Sequence, residues 1–568
     1  MPIMSPSEHR NRVRIDSPLA LSILFALWAI LMWLAFPRPA LWAAAHLALA
    51  PLTLAAVRGE SLKRVGWLSY LFGVIWALLA VLWMRHVTVG GYIALAFYMG
   101  LFPAAFVLGV RAIKRRTHLP LVLAVPLVWV PLEYLRGVWL WDGFPWFLLG
   151  QSQPTSLIQI ADFAGTYGVS FVVAMTGGLV VDLLTQPVFR PGGRIGKTVR
   201  LSLTVWLVAM TFTVGYGMWR KGQEPTGPTL RVAVVQTNVP QSNKIRPTDE
   251  DEIAAFNELV ALTGQAAAAK PDLIVWPETV SPRAINDETV RVAAGFCRRL
   301  NLQPPTDASD LRALQYWCAC LRYRRSIEQT VAEAGTYLIA GAHAYTEWGD
   351  SPKHRYNSAY LFDPSGALLG RFDKIHRVPF GEYLPFKGWP VLSSLMTALS
   401  PYDYDYSLAK GKAYTTFDMN VGEKTWRVGT PICFEDVVDY ICRRMAYRGG
   451  KRLDLLVNLT NDGWYAGTAQ NSQHMQIARL RCVENRLPMV RSVNRGISGF
   501  IDSTGRIIDR VEVEGRREKV AGVAVAELKT DARRTIFGRV GNTFAVLCTL
   551  ALIGMLLIAT AIGRQGKI

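Results

Sequence analysis

The sequence predicts an α/β layered sandwich carried between membrane-crossing helices. Three observations point there. Apolar residues make up 51% of the 568-residue chain and crowd into 18–219 and 542–563. The stretch between reads as many short strands with a few long helices, the pattern of a layered α/β domain. Three strand-like runs there end on reactive side chains: Glu278 after Val275-Trp276-Pro277, Lys374 after Gly370-Arg371-Phe372-Asp373, and Cys433 within Thr430-Pro431-Ile432-Cys433-Phe434-Glu435-Asp436.

Runs of about 20 apolar residues can cross a bilayer. They fall at 18–36, 40–57, 67–84, 89–110, 119–140, 167–184 and 199–219, with an eighth at 542–563. The domains expected are therefore 1–219 with seven helices, a soluble 220–541, and 542–568 as the eighth helix and a tail. The first run is not read as a signal peptide, because further spans follow and no convincing cleavage site is seen. Basic residues recur in alternate loops: Arg58, Lys63 and Arg64; Arg111, Lys114, Arg115 and Arg116; Arg190, Arg194, Lys197 and Arg200; Arg564 and Lys567. The N-terminus adds Arg10, Arg12 and Arg14. Short basic loops stay cytoplasmic, so seven crossings deliver 220–541 to the other side. This also accounts for much of the formal charge of +19. No zinc-finger spacing or other nucleic-acid motif is seen, and nucleic acid is not an expected partner.

Between the fifth and sixth runs lie Glu133, Arg136, Trp139 and Trp141-Asp142-Gly143-Phe144-Pro145-Trp146. Aromatic residues and an Arg at a bilayer interface are commonly anchors. The functional alternative is a re-entrant loop forming a lipid-facing floor, with Glu133 and Arg136 paired or wet.

The soluble region opens with a strand-like run at 230–239, then a helix near 249–269 and a strand at 271–278 ending on Glu278. Residues 284–335 read as mostly helical. A strand at 337–345 precedes a hairpin of 356–362 and 368–372 around Asp363-Pro364-Ser365-Gly366. A second hairpin joins 415–419 and 425–428. The apolar strand 453–459 ends in Asn461-Asp462-Gly463-Trp464. A helix near 470–486 leads to strands at 488–494, 498–502 and 506–512.

Seven cysteines leave at least one unpaired within the chain. Cys548 reads as a core residue. Cys318 and Cys320 are too close for an easy mutual bridge, but either can pair with Cys297 outside the cytoplasm. No fourth ligand marks a zinc site there.

A cysteine at a strand-to-helix corner lies near N–H groups that favour a thiolate. With Glu278 as general base and Lys374 as oxyanion stabiliser, Cys433 has what a nucleophile needs. Glu382 and Glu435 read as supporting residues that orient Lys374 or tune the site. Phe434, Trp464 and Tyr465 read as pocket wall, and Trp146 as a further substrate contact. His376 and His474 are read as core or surface residues, since the Glu makes another base unnecessary.

Glu, Lys and Cys at strand ends, in that order, resemble the nitrilase (carbon-nitrogen hydrolase) superfamily. The resemblance implies a nitrilase-like αββα sandwich, inserted between transmembrane helices 7 and 8. Apparent spans around such a domain make the chain similar to the apolipoprotein N-acyltransferases. The motifs are Trp276-Pro277-Glu278-Thr279, Lys374 with Val378-Pro379-Phe380-Gly381-Glu382-Tyr383-Leu384-Pro385, Ile432-Cys433-Phe434-Glu435, Asn461-Asp462-Gly463-Trp464-Tyr465 and Gly143-Phe144-Pro145-Trp146. Ile245 stands where the family carries an aromatic, and Phe434 where it carries Tyr. The stretch with Cys297, Cys318 and Cys320 looks like an insertion. The resemblance implies a bacterial inner-membrane enzyme with a periplasmic catalytic domain. It implies a phospholipid acyl donor, typically phosphatidylethanolamine, and a diacylated apolipoprotein acceptor, with no metal or other cofactor; a monomer is expected. A membrane-tethered amidase and a non-catalytic lipoprotein-binding protein are the rival readings.

Overall fold

The structure is a computed structural model describing residues 15, 17–185, 195–245, 247–302, 308–348, 352–384, 388–398, 405–447 and 452–565. Arg10, Arg12, Arg14, Arg190, Arg194, Pro385 and Lys567 lie outside the described residues. The chain divides into two compact units, Met1–Trp219 with Asn542–Ile568, and Arg220–Gly541.

The first unit is helical: α1 Pro18–Ala35, α2 Ala43–Arg58, α3 Leu62–Ala80, α4 Val89–Arg116, α5 Leu121–Tyr134, α6 Ala161–Thr185, α7 Lys197–Lys221, and a last helix Thr543–Gln565. Ser17, Ser61 and Thr88 accept N–H bonds at the starts of α1, α3 and α4, satisfying donors a helix start leaves unpaired. Among the described residues, six helical stretches are long and apolar enough to cross a membrane. The expected second span is a shorter apolar helix, Ala43–Arg58, and the last helix is apolar over its described stretch Thr543–Ile558. For α2 the reason is local: Leu41 N–H bonds back to Leu34 and Trp42 N–H to Ala40. Residues expected to start the span are thus spent on a turn, and the remaining 16 residues rise about 24 Å.

The ends of α2, α4 and α6 come together. Arg111 near the end of α4 donates to Gly59 O and Glu60 O at 2.5 and 2.6 Å. Arg58 at the end of α2 donates to Thr185 O at 3.4 Å. The basic ends of α2 and α4 therefore share one side of this unit with the end of α6. Exposed Ile23, Ile30, Leu79 and Leu101 give it the apolar surface that lipid favours.

Glu133 and Arg136 are buried and partnered. Glu133 accepts from Trp129 Nε1 at 2.8 Å and Leu149 N at 2.7 Å. Arg136 donates to Trp146 O at 2.5 Å and Phe147 O at 3.3 Å. Each thereby fastens the 146–149 segment to the end of α5. Trp139 and Trp141 are exposed; Trp146 is buried, against Trp83 and Phe144.

The second unit holds two six-stranded sheets. One contains β1 Thr229–Gln236, β2 Leu273–Val275, β3 Tyr337–Trp348, β4 Pro352–Phe362 and β5 Leu368–Asp373. The other contains β6 Thr416–Val421, β7 Lys424–Gly429, β8 Leu455–Asn461, β9 Met489–Asn494, β10 Gly499–Ile501 and β11 Ile507–Arg510. A twelfth strand, β12 Gly522–Lys529, closes the first sheet against β1 over the whole length of β1. The sheet orders are 12-1-2-3-4-5 and 11-10-9-8-7-6. They meet where Ser492 Oγ donates to Val235 O at 2.8 Å and Ser498 N to Gln236 Oε1 at 2.9 Å.

Helix Asp249–Ala268 covers the first sheet and is started by a capping box: Thr248 Oγ1 accepts from Asp251 N, and Asp251 Oδ2 accepts from Thr248 N. Its Phe256, Leu259 and Leu262 pack with Trp276, and with Tyr323 and Ile327 of helix Ala308–Ala334. Trp276 Nε1 is satisfied by Thr263 at 2.9 Å. In each sheet three strands run parallel, β1-β2-β3 and β7-β8-β9. The carboxyl ends of such strands are where α/β folds place their crevices.

Phe256 stands edge-on to both Trp276 and Tyr323. Phe256→Ala is expected to destabilise this unit by about 3–5 kcal/mol, read as a lowered thermal-unfolding midpoint.

Candidate active site

Glu278 follows β2 in a turn held against β3. Trp276 N–H donates to Ile339 O at 2.8 Å and Val280 N–H to Gly341 O at 3.0 Å. A Cβ on Gly341 would lie 2.4 Å from Pro277 O and 2.8 Å from Glu278 Cα, so only glycine lets the Glu278 backbone come this close. Lys374 follows β5 and is held by its N–H to Asn357 O at 2.9 Å. Its buried ammonium donates to Glu382 at 2.8 Å and reaches Glu278 at 3.5 Å. Asn357 Nδ2 joins the same carboxylates, at 2.7 Å to Glu278 and 3.3 Å to Glu382. The second oxygen of Glu382 accepts from Val378 N at 2.7 Å.

Cys433 follows β7 at a sharp corner with φ +51°. That left-handed conformation costs a non-glycine residue energy and recurs at functional sites. Two side chains hold it. Asn458 Nδ2 donates to Pro431 O at 3.1 Å and Cys433 O at 3.2 Å. Glu435 accepts from Ile432 N at 2.7 Å on one oxygen. On its other oxygen it accepts from Ile375 N at 2.7 Å and His376 N at 2.9 Å. Glu435 therefore locks the cysteine corner to the residues just after Lys374. Its burial lifts it to about 7, against these three N–H groups and Lys374.

The electrostatics separate the roles. Burial alone would lower the Lys374 ammonium; Glu382 first, then Glu278 and Cys433, reverse this and hold it above its usual range. Lys374 stays charged. Burial, then Glu278, pushes the Cys433 thiol well up, with Lys374 opposing. Lys374 thus acts on the thiol in the expected direction, but a resting thiolate is not favoured. Helix N–H groups and the lysine favour a thiolate, but the cost of burying sulfur charge beside a carboxylate opposes them. Glu278 is the carboxylate that acts most strongly on Cys433.

The remaining candidates are placed as follows. Phe434 is buried and stacks on His376, whose Nδ1 meets Tyr440 Oη at 2.8 Å. Trp464 and Tyr465 are half-buried on the turn Gly463–Tyr465, and desolvation, then nearby Cys433, raises the Tyr465 phenol. Trp146 belongs to the helical unit. Ile245 ends the short helix Gln241–Ile245. His474 is buried between Asp436 Oδ1 at 2.8 Å and Asp462 Oδ1 at 3.0 Å, with Arg491 also on Asp436. It ties the segment after Cys433 to the one before Trp464, beyond the plain core role expected of it.

Asn357, Asn458 and Lys244 were missed. Lys244 Nζ donates to Glu278 O and Thr279 O, both at 3.2 Å, and burial, against nearby Glu278, lowers it to about 8. Asn357 is buried within β4, where its side-chain amide needs a partner.

This fold and site are those of a carbon-nitrogen hydrolase, and the carbon-nitrogen hydrolase family model matches residues 231–536. A second family model, the apolipoprotein N-acyltransferase N-terminal domain, matches 28–179. The chain is 32% identical over 543 residues to the apolipoprotein N-acyltransferase of Geobacter metallireducens, covering 93% of this chain and 92% of that one. It is 32% identical over 460 residues to that of Methylococcus capsulatus, covering 79% of each. An amidase structure from Nesterenkonia sp. AN1 aligns at 14% identity and TM-score 0.35, over 55% of this chain and 97% of that one. The chain belongs to the apolipoprotein N-acyltransferase family: an acyltransferase and a membrane protein.

Glu435→Gln puts an amide N–H where a backbone N–H now finds a carboxylate oxygen. A misaligned corner is expected to lower turnover about 10²-fold with KM little changed, read by steady-state acyl-transfer kinetics. For His474, burial alone would lower the pKa, but Asp436 and Asp462 raise it to about 9. A raised pKa gives stability that is full below the unfolded value of about 6.5 and is lost as pH passes the folded value. Thermal stability is therefore expected to fall between about pH 6.5 and 9, and to fall less steeply in His474→Gln.

Proposed function

We propose that the chain N-acylates the N-terminal S-diacylglyceryl-cysteine of apolipoproteins, using an acyl chain of a membrane phospholipid. The observation that carries this reading is the shared charge centre: one buried ammonium between Glu278 and Glu382, beside a cysteine on a strained corner. Glu278 takes the thiol proton, and Cys433 attacks the sn-1 ester of the donor, phosphatidylethanolamine by family likeness. Lys374 stabilises the oxyanion of the tetrahedral intermediate. The lysophospholipid leaves with a proton, and a thioester stays on Cys433. The amine of the lipoprotein then loses a proton to Glu278, attacks the thioester and becomes an amide. Two substrates in succession on one covalent intermediate give ping-pong kinetics. Glu382 and Asn357 orient Lys374 and Glu278, Glu435 holds the corner, and Phe434, Trp464 and Tyr465 line the acyl pocket.

Both substrates carry acyl chains, so the helical unit (1–219 and 542–568) does more than anchor the enzyme. The reading places the chain in the bacterial inner membrane as a monomer. The basic ends of α2 and α4, which lie together, support a cytoplasmic side there, with 220–541 in the periplasm.

The test is incubation of the purified protein with labelled phospholipid, followed by a diacylated lipopeptide, and peptide mass spectrometry. A thioester on Cys433 that passes its acyl chain to the amine is expected. A thioester that only hydrolyses marks a tethered hydrolase, and none at all a binding protein. Cys433→Ala is expected to abolish labelling and Cys482→Ala to leave it intact. Glu278→Gln is expected to slow acylation by about 10²–10⁴-fold.

A further inference from the structure

Cys297 and Cys318 sit on the helices Asp287–Leu302 and Ala308–Ala334, in the stretch that departs from the family pattern. Their sulfurs are 3.3 Å apart and unbonded. Cys318 is exposed and Cys297 half-buried, so reagents reach the pair. Cys320 is fully buried; two residues along a helix do not share a face. Of the two partners open to Cys297 in the sequence, the geometry selects Cys318.

A disulfide is about 2.05 Å long, so the sulfurs need approach by only about 1.3 Å. Nearby contacts say what the bond would do. Helix Asp287–Leu302 begins directly after the Glu278 loop, which Asn286 fastens to β3 through Tyr345 O at 2.7 Å and Tyr345 N at 3.1 Å. Arg324 of the longer helix donates to Ile285 O at 2.6 Å and Asp287 at 3.1 Å. These bonds tie the helices together at one end. A Cys297–Cys318 bond would tie them ten residues further along the first.

We propose that Cys297 and Cys318 form a disulfide that staples this helix pair behind the Glu278 loop when the catalytic unit meets an oxidising compartment. For its setting, the proposal rests on the extracytoplasmic reading above. The oxidant is a disulfide, of a protein oxidase or of glutathione. Cys318 attacks it, the oxidant's S–S bond breaks, and one oxidant thiol is released. Cys297 then attacks the mixed disulfide at the Cys318 sulfur and expels the second thiol. Two electrons and two protons pass to the oxidant. Burial and Cys318 hold the Cys297 thiol up at about 11, which suits the exposed Cys318 to the first attack.

The test uses the full-length protein in two arms, each mapped by mass spectrometry without reduction after thiol blocking. One arm is protein as isolated from cells. The other is reduced protein exposed to glutathione disulfide in detergent. A Cys297–Cys318 peptide pair, lighter by two hydrogens than its parts, is expected in both. A reductant is then expected to lower the unfolding midpoint of the native chain and leave that of Cys318→Ser unmoved. A pair formed only with glutathione disulfide supports the geometry and overturns the extracytoplasmic setting. Both thiols blocked in the glutathione arm, or Cys297 linked to Cys320, overturns the proposal.

Discussion

A buried ammonium between two carboxylates governs the catalytic unit. Lys374 is almost wholly removed from water, with Glu382 at 2.8 Å and Glu278 at 3.5 Å. Desolvating one cation and two anions is expensive, and only their mutual proximity makes it tolerable. Losing one member of such a set costs about 3–5 kcal/mol, because a charge is left stranded. The ends of β2 and β5 and the turn bearing Glu382 are therefore obliged to meet. Asn357, the hydrogen-bonded neighbour of both carboxylates, keeps the negative charges apart and oriented.

Glu435 extends that constraint across the two sheets. It accepts N–H groups from Ile375 and His376 beside Lys374 and from Ile432 beside Cys433. A carboxylate with three donors can hold Cys433 at φ +51°, where a looser loop would relax. Behind the corner, His474 joins Asp436 to Asp462. Cys433 is thus held from two directions, and the cost of its backbone strain is spread over many buried hydrogen bonds.

Much of this was legible in the sequence. Membrane helices, the hairpin around Asp363-Pro364-Ser365-Gly366 and the strand-ending Glu278, Lys374 and Cys433 follow from period, turn chemistry and residue type. β12 was missed because Gly522-Val523-Ala524-Val525-Ala526 is built from small residues with few β-branched ones, and its assignment depends on pairing with a strand nearly 300 residues away. Span lengths were overestimated at α2 because apolarity does not reveal a turn at 40–42. In the candidate site, residue types pointed to Glu278, Lys374 and Cys433 but not to the side chains that hold them. Asn357, Asn458 and Lys244 act through backbone carbonyls and carboxylates supplied by distant segments. The protonation of the resting thiol was misjudged for the same reason: burial is a property of the folded whole.

The central claim is that Cys433 rests as a thiol and is activated by Glu278 rather than standing as a thiolate. The most direct measurement is the rate of Cys433 carbamidomethylation by iodoacetamide against pH, followed by peptide mapping. The rate is expected to stay low through neutrality and to rise above the ordinary cysteine value of about 8.5. A rate already at its plateau below pH 7 would show a standing thiolate and contradict the claim.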